Sequence, residues 1–227
     1  MRTAAVLPVK SFARAKQRLG ESVADPLRLE LARAMVADVL LALSQTEAIE
    51  RTIVVTREES VAAAARELDA IVVQDAAESG QSAAATLGIA RALQEGMARV
   101  LCVPGDCPAL DPVELGELLS GGGRSAEVVI VPDRHGTGTN GLLLTPPRVI
   151  APSFGPDSCE RHRALAADAG AACRLATPQS LLLDIDTGAD LAALRERLAA
   201  HRARAARTRA ALGLPERTDI VSATSTA

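Results

Sequence analysis

The chain has no tryptophan and no tyrosine, and only two phenylalanines among its 227 residues. A core of that size must be filled by Ala, Val, Leu and Ile, and stacking on aromatic platforms is not expected as a binding device. No apolar run approaches the ~18 residues that a membrane span requires, and the apolar run within residues 1–10 is too short for a signal peptide. A net charge of −3 leaves no cationic surplus for nucleic acid or an acidic membrane. Four cysteines (Cys102, Cys107, Cys159, Cys173) show no Cys-x-x-Cys spacing, which excludes a zinc ribbon and a thioredoxin motif. Free thiols in a reducing cytoplasm are the expectation. The P-loop pattern is absent as well.

What is present is one domain's worth of ordinary globular sequence, 48% hydrophobic and 23% charged. Strands are expected at Ala4–Val9, Thr52–Thr56, Ala70–Val73 and Ala98–Val103. Between them fall helices from Asp25-Pro26, over Glu58–Leu68 and over Gly80–Glu95; another follows from Pro112, with Asp111 as N-cap. Leu27, Leu31, Met35, Val36, Val39, Leu40 and Leu43 recur at helical spacing and give the first helix one apolar face. This alternation predicts an α/β fold, a mostly parallel sheet with helices on both faces. After Gly121–Gly123 the rhythm changes to a strand at Glu127–Val131, a polar loop over Pro132–Gly141 and a strand at Leu142–Thr145. A helix over Asp157–Ala169, strands at Ala171–Leu175 and Ser180–Leu183, and helical spacing from Thr187 to Leu212 complete the reading. The domain is placed at residues 1–200. Residues 201–227 are read as the end of the last helix and a disordered tail.

Charged residues gather where strands end. Asp106 follows the run Val100–Val103 and its Pro104-Gly105 stop, and open α/β sheets collect ligands at the carboxyl ends of strands. Alternation puts Asp184 and Asp186 on one side of the chain as a strand ends. Thr187 and Asp190 resemble a capping box. Asp184, beside three leucines, has no part in that box and needs a cation or donors. With Asp106, these two form an all-oxygen set suited to Mg²⁺. The loop after the first strand carries Lys10, Arg14, Lys16 and Arg18 with no acid among them, an anion site such as a triphosphate would fill.

Gly136–Gly141 fits G-x-G-x-x-G, but a strand follows where a helix should open, so the dinucleotide reading fails. Thr137, Thr139 and Asn140 instead offer donors to a closely approaching ligand. Phe154–Ser158 precedes a helix that Asp157 or Ser158 could cap, or whose amino end could hold an anion. Arg161 and Arg163 in its first turns oppose the dipole and favour the anion. His135 and His162 have no ligand-like spacing and receive no role. The basic run His201–Arg209 is read as a solvated helix face.

These stretches taken together resemble the guanylyltransferases of coenzyme F420 biosynthesis, which activate 2-phospho-L-lactate or phosphoenolpyruvate. The resemblance rests on Val9–Leu19, Gly105–Leu110, Asp133–Thr139, Phe154–Ser158 and Asp184–Thr187, in family order. It implies a single nucleotidyltransferase domain (nucleotide-diphospho-sugar transferase-like), GTP as donor and Mg²⁺ as cofactor. It implies that Asp106, Asp184 and Asp186 hold metal, and that Thr139, Gly155 and Ser158 contact the phosphorylated three-carbon acid. Lys10, Arg14 and Lys16 are placed on the nucleotide, with Lys10, Lys16 and Arg18 offsetting repulsion between the two polyanions. Where the family has Leu-Asn before its third main helix, this chain has Gln81-Ser82. Ser82 therefore takes a nucleotide-binding position, and guanine selection is the property this departure touches. The Ala-, Arg- and Leu-rich composition points to a GC-rich bacterial genome, and bacterial members are the ones associated with phosphoenolpyruvate; 3-phosphoglycerate is a further candidate acceptor. Two rival readings stand beside this one. A glycosyltransferase using Asp184-x-Asp186 would release a nucleoside diphosphate, and a non-catalytic nucleotide sensor would bind without turnover.

Overall fold

A computed structural model describes residues 1–12, 24–121, 125–200 and 204–215. Its seven-stranded sheet has the order β3-β2-β1-β4-β6-β5-β7. The strands are β1 (Thr3–Val9), β2 (Arg51–Thr56), β3 (Ile71–Gln74), β4 (Arg99–Cys102), β5 (Glu127–Pro132), β6 (Thr139–Thr145) and β7 (Ala172–Leu175). The helices are α1 (Asp25–Ser44), α2 (Glu59–Glu67), α3 (Gln81–Gln94), α4 (Pro112–Ser120), α5 (Ser158–Asp168), α6 (Gly188–Ala200) and α7 (Ala206–Ala211). Only β6 runs against its neighbours; β1 to β4 are mutually parallel, and β7 is parallel to β5. The amino end of β6 therefore arrives at the sheet edge where the parallel strands end.

The inner strands are apolar on both faces, as a covered sheet requires, whereas the edge strand β7 is exposed along its length. On one side Ala5, Leu7 and Val9 of β1, Val54 and Leu101 pack under Val36, Leu40 and Leu43 of α1, Val61 of α2 and Leu115 of α4. On the other, Ala4, Val6, Val55 and Val100 pack under Ala84, Ala85 and Ile89 of α3 and Ala166 of α5. The period-2 alternation of side chains divides the two sets.

Helix α1 is buried on two sides. Leu31 and Met35 turn away from the sheet and join Leu191, Leu194 and Leu198 of α6 and Leu212 in a third cluster. The single apolar face expected from spacing is thus two adjoining stripes. The periodic stretch Thr187–Leu212 is likewise two helices. Asp38 of α1 accepts hydrogen bonds from the backbone N–H groups of Arg207 (3.2 Å) and Thr208 (2.7 Å), capping α7 from a neighbouring helix. Packing therefore continues beyond residue 200, while residues 216–227, read as a tail, lie outside the described residues.

Two local expectations are corrected. Ser180–Leu183 forms no strand; Gln179–Leu181 is a 3₁₀ turn after Pro178. Its backbone finds partners other than a ladder: Ser180 N–H donates to Glu114 Oε2 (2.7 Å) and Leu181 N–H to the Pro178 carbonyl (3.0 Å). The strand expected from Leu142 starts three residues earlier, because Thr139 and Gly141 pair with Pro132 and Val131 across a register shift. Among the described residues no helix is long and apolar enough to cross a membrane.

Candidate active site

Asp106 lies in the turn after β4, and its carbonyl accepts the Ile185 N–H at 3.2 Å. That backbone bond ties the Asp184–Asp186 segment to the turn after β4. Asp184 is half-buried and accepts from Asn140 Nδ2 at 3.2 Å. Burial, then the charge of Asp106, hold its carboxyl above the ordinary range; Asn140 offsets part of this and Asp186 adds to it. The capping box forms as read. Asp190 Oδ2 accepts from Thr187 N–H (2.7 Å), Thr187 Oγ1 (2.8 Å) and Asp186 N–H (3.1 Å). Burial pushes Asp190 up, but these bonds and Arg134, paired to it at 2.6 Å, outweigh burial and leave it below its usual value. Among the described residues no three His, Cys, Asp or Glu side chains make a ready metal-binding group.

Two cavities meet at these carboxylates. The first, about 300 Å³, is lined by Lys10, Phe12, Met35 and Val36 among others. The second, about 430 Å³, is lined by Thr139, Asn140, Phe154, Gly155, Ser158 and Asp184. Gln81, Pro104, Asp106 and Asp186 belong to both walls. The chain's two phenylalanines each line one of these cavities, Phe12 the first and Phe154 the second.

The turn after β1 is held by two carboxylates from across the sheet. Ser11 N–H donates to Glu78 Oε1 (2.9 Å) and Phe12 N–H to Glu58 Oε1 (2.8 Å). Lys10 is exposed at the mouth of the first cavity. Arg14, Lys16 and Arg18 lie outside the described residues. Ser82, expected at the nucleotide, lines neither cavity; its Oγ accepts the Phe154 N–H at 2.9 Å and braces the second cavity's wall. Its neighbour Gln81 is the α3 residue that reaches both.

The second cavity is built by the loop before β6 and the start of α5. Asp133 Oδ1 accepts from the N–H groups of His135 (3.1 Å) and Thr137 (3.0 Å), folding the loop onto itself. A Cβ at Gly138 would lie 2.6 Å from Asp133 Oδ2, so a side chain there requires the Asp133 carboxylate to shift. Neither Asp157 nor Ser158 caps α5 through its side chain. Ser158 Oγ instead donates to Thr139 Oγ1 (3.0 Å), and His162, one turn along α5, puts Nδ1 3.1 Å from the same oxygen. His162 is fully buried; burial, with the Arg161 charge, pushes its pKa down to about 4. Arg161 is turned toward the preceding loop. Its guanidinium donates to Ser153 Oγ (3.1 Å) and to the carbonyls of Ser153 (3.0 Å) and Pro156. Arg163 pairs with Glu160 at 3.2 Å on the surface.

The sequence reading missed His162, whose i, i+4 spacing from Ser158 was the available signal. It also missed Glu58 and Glu78, which no local pattern marks. Of the predicted site residues, the structure brings Asp106, Asp184, Asp186, Thr139, Gly155 and Ser158 together around the second cavity, and Lys10 joins the first.

The family described as "Guanylyl transferase CofC like" matches residues 3–201. The chain is similar to the phosphoenolpyruvate guanylyltransferase of Conexibacter woesei, 50% identical over 221 residues that cover 96% of this chain and 99% of that one. It is 37% identical to the phosphoenolpyruvate guanylyltransferase of Rubrobacter xylanophilus over 191 residues, 84% of this chain and 92% of that one. Among solved structures, a nucleotidyl transferase from Methanothermobacter thermautotroptrophicus aligns with a TM-score of 0.65 at 22% identity, over 88% of this chain and 98% of that one. That last likeness is one of fold.

Proposed function

Because the chain belongs to the family of CofC-like guanylyl transferases, we propose that it transfers GMP from GTP to phosphoenolpyruvate and releases pyrophosphate, a step of coenzyme F420 biosynthesis. The observation that carries this reading is the wall shared by the two cavities, Gln81, Pro104, Asp106 and Asp186. GTP is assigned to the side of Lys10 and Phe12, and the acid to the side of Thr139, Gly155 and Ser158. The bond to be made then lies at the common wall.

A phosphate monoester is already anionic at neutral pH, so the acceptor needs no general base. Its phosphate oxygen attacks the α-phosphorus of GTP in line. The new P–O bond forms as the bond to the bridging oxygen of the β-phosphate breaks, and pyrophosphate leaves with that electron pair. Positioning and charge are what the protein supplies. Lys10 contributes positive charge at the first cavity; Arg14, Lys16 and Arg18 belong to the same reading, outside the described residues. Thr139 and Ser158 orient the acceptor.

Asp106, Asp184 and Asp186 would hold Mg²⁺, which when bound neutralises charge on the phosphates. The residues fit the ion. Their donors are all oxygen, and the raised Asp184 marks a spot where an added cation would relieve repulsion from Asp106 and Asp186. Mg²⁺ binds through one or two carboxylates plus waters and phosphates, so a closed cage of side chains is not required. On this reading the enzyme works in the cytoplasm, where both substrates are made.

The test is direct. The full chain is incubated with GTP, Mg²⁺ and phosphoenolpyruvate, 2-phospho-L-lactate or 3-phosphoglycerate, and pyrophosphate is followed. Release is expected fastest with phosphoenolpyruvate and much slower when ATP or CTP replaces GTP. No pyrophosphate with any of the three acids refutes the reading.

A further inference from the structure

We propose that His162 is a positioning residue of the second cavity: neutral, with its proton on Nδ1, it turns the Thr139 hydroxyl hydrogen into that cavity as a donor for an anionic oxygen. Assigning that oxygen to the phosphorylated acid rests on the function proposed above; the tautomer and the direction of the hydroxyl do not.

The argument is an accounting of donors and acceptors. The backbone N–H of Ser153 points at His162 Nε2 from 2.9 Å, and a peptide N–H can only donate. Nε2 therefore holds a lone pair, and the proton of the neutral ring sits on Nδ1. Nδ1 lies 3.1 Å from Thr139 Oγ1 and so donates to it. Ser158 Oγ–H donates to the same oxygen at 3.0 Å. A hydroxyl oxygen has two lone pairs, and both are now engaged. With Ser158 as that donor, the Thr139 hydrogen is left the remaining direction, and Thr139 lines the cavity alongside Gly155 and Ser158.

The imidazole is itself fixed from three sides. It rides on α5, accepts from the loop at Ser153, and meets the Phe154 ring edge-on at a centroid distance of 5.3 Å. Full burial and the neighbouring Arg161 charge oppose a second proton on the ring. An imidazolium would also turn Nε2 into a donor facing the Ser153 N–H. The arrangement thus presents donors where an acceptor molecule carries its negative oxygens.

Two substitutions separate the ring's two tasks. In His162→Asn the amide nitrogen falls near the place of Nδ1 and keeps the donor to Thr139. In His162→Gln the amide oxygen reaches toward the Ser153 N–H and the donor to Thr139 is lost. His162→Gln is expected to raise the KM of the acceptor about 10-fold, the size of one lost hydrogen bond, with the KM of GTP within about twofold of the parent. His162→Asn should recover most of that loss. Imidazole ¹⁵N NMR of the unmutated chain should show a neutral ring protonated on Nδ1 from pH 8 to pH 5. An Nε2-protonated ring, an imidazolium at neutral pH, an unchanged acceptor KM in His162→Gln, or equal rises in both KM values in both variants overturns the proposal. If the parent releases no pyrophosphate with any acid, the proposed function falls, while the NMR measurement still decides the tautomer.

Discussion

Helix α3 touches the sheet at Gly88, and that contact sets how closely the helix can lie. A Cβ built there would stand 2.3 Å from Val6 Cγ1 and 3.1 Å from Val55 Cγ2, both side chains being fully buried. Ordinary carbon contacts begin near 3.5 Å, so Gly88→Ala requires a displacement of about 1 Å. Two effects oppose each other. Alanine in a helix interior is worth roughly 0.5–1 kcal/mol over glycine, whereas overpacking of a dense core costs about 1–3 kcal/mol. The second should win, leaving Gly88→Ala less stable by about 1–2 kcal/mol. Val6→Ala removes the colliding methyls and costs about 2 kcal/mol alone; combined with Gly88→Ala, the total should fall about 1–2 kcal/mol short of the sum. With no Trp or Tyr to report by fluorescence, urea unfolding is followed by far-UV circular dichroism, reading the midpoint at constant slope. A Gly88→Ala variant as stable as the parent, or strict additivity in the double variant, refutes the reasoning. Because Gln81 lies seven residues, about 10 Å, along the same helix, the displacement should also raise the KM of GTP.

Three further outcomes follow from the site and its supports. The folded His162 pKa of about 4 lies below the ordinary 6.5, so between these values the unfolded chain takes up a proton that the folded chain refuses. His162 therefore withdraws stability as pH falls from 6.5 towards 4, about 2 kcal/mol by pH 5, and none above 6.5. Urea midpoints at pH 7 and pH 5 should show that loss in the parent and a smaller one in His162→Asn. Ser82→Ala leaves the Phe154 N–H without its acceptor and should cost about 1 kcal/mol; the acceptor's KM should rise several-fold at an unchanged KM for GTP, and the reverse pattern would return Ser82 to the nucleotide. Asp38→Ala leaves two N–H groups of α7 unpaired and should cost about 2–3 kcal/mol in the same unfolding assay, with pyrophosphate release unchanged at low temperature.

The sheet was legible because its inner strands are buried on both faces, and runs such as Ile53–Val55 and Val100–Val103 have no competing helical period. The carboxylates were legible because an acid at a strand end, beside apolar neighbours, has few structural uses. Local pattern failed where a residue's partner is distant in the chain. Ser180–Leu183 reads as a strand by composition, yet Ser180 N–H goes to Glu114 and Leu181 N–H to the Pro178 carbonyl instead of a ladder. Ser82 is placed by its position at the start of α3, and only the fold shows the Phe154 N–H on its hydroxyl. Leu31 and Met35 look continuous with the rest of α1's apolar face until α6 is seen on their other side. Arg161 argued for an anion by its place at a helix start, and the carbonyls it serves instead belong to a loop that no helical pattern describes.

The wall of Gln81, Pro104, Asp106 and Asp186 also bears on turnover. On the proposed reaction the joined product is a single molecule that occupies both chambers, so while bound it excludes each reactant. Saturation with either GTP or the acceptor should displace it, whereas pyrophosphate, confined to the nucleotide side, competes with GTP alone. A catalyst built this way holds its own product as a bisubstrate inhibitor. Its flux is then governed by how quickly the next enzyme draws that product away.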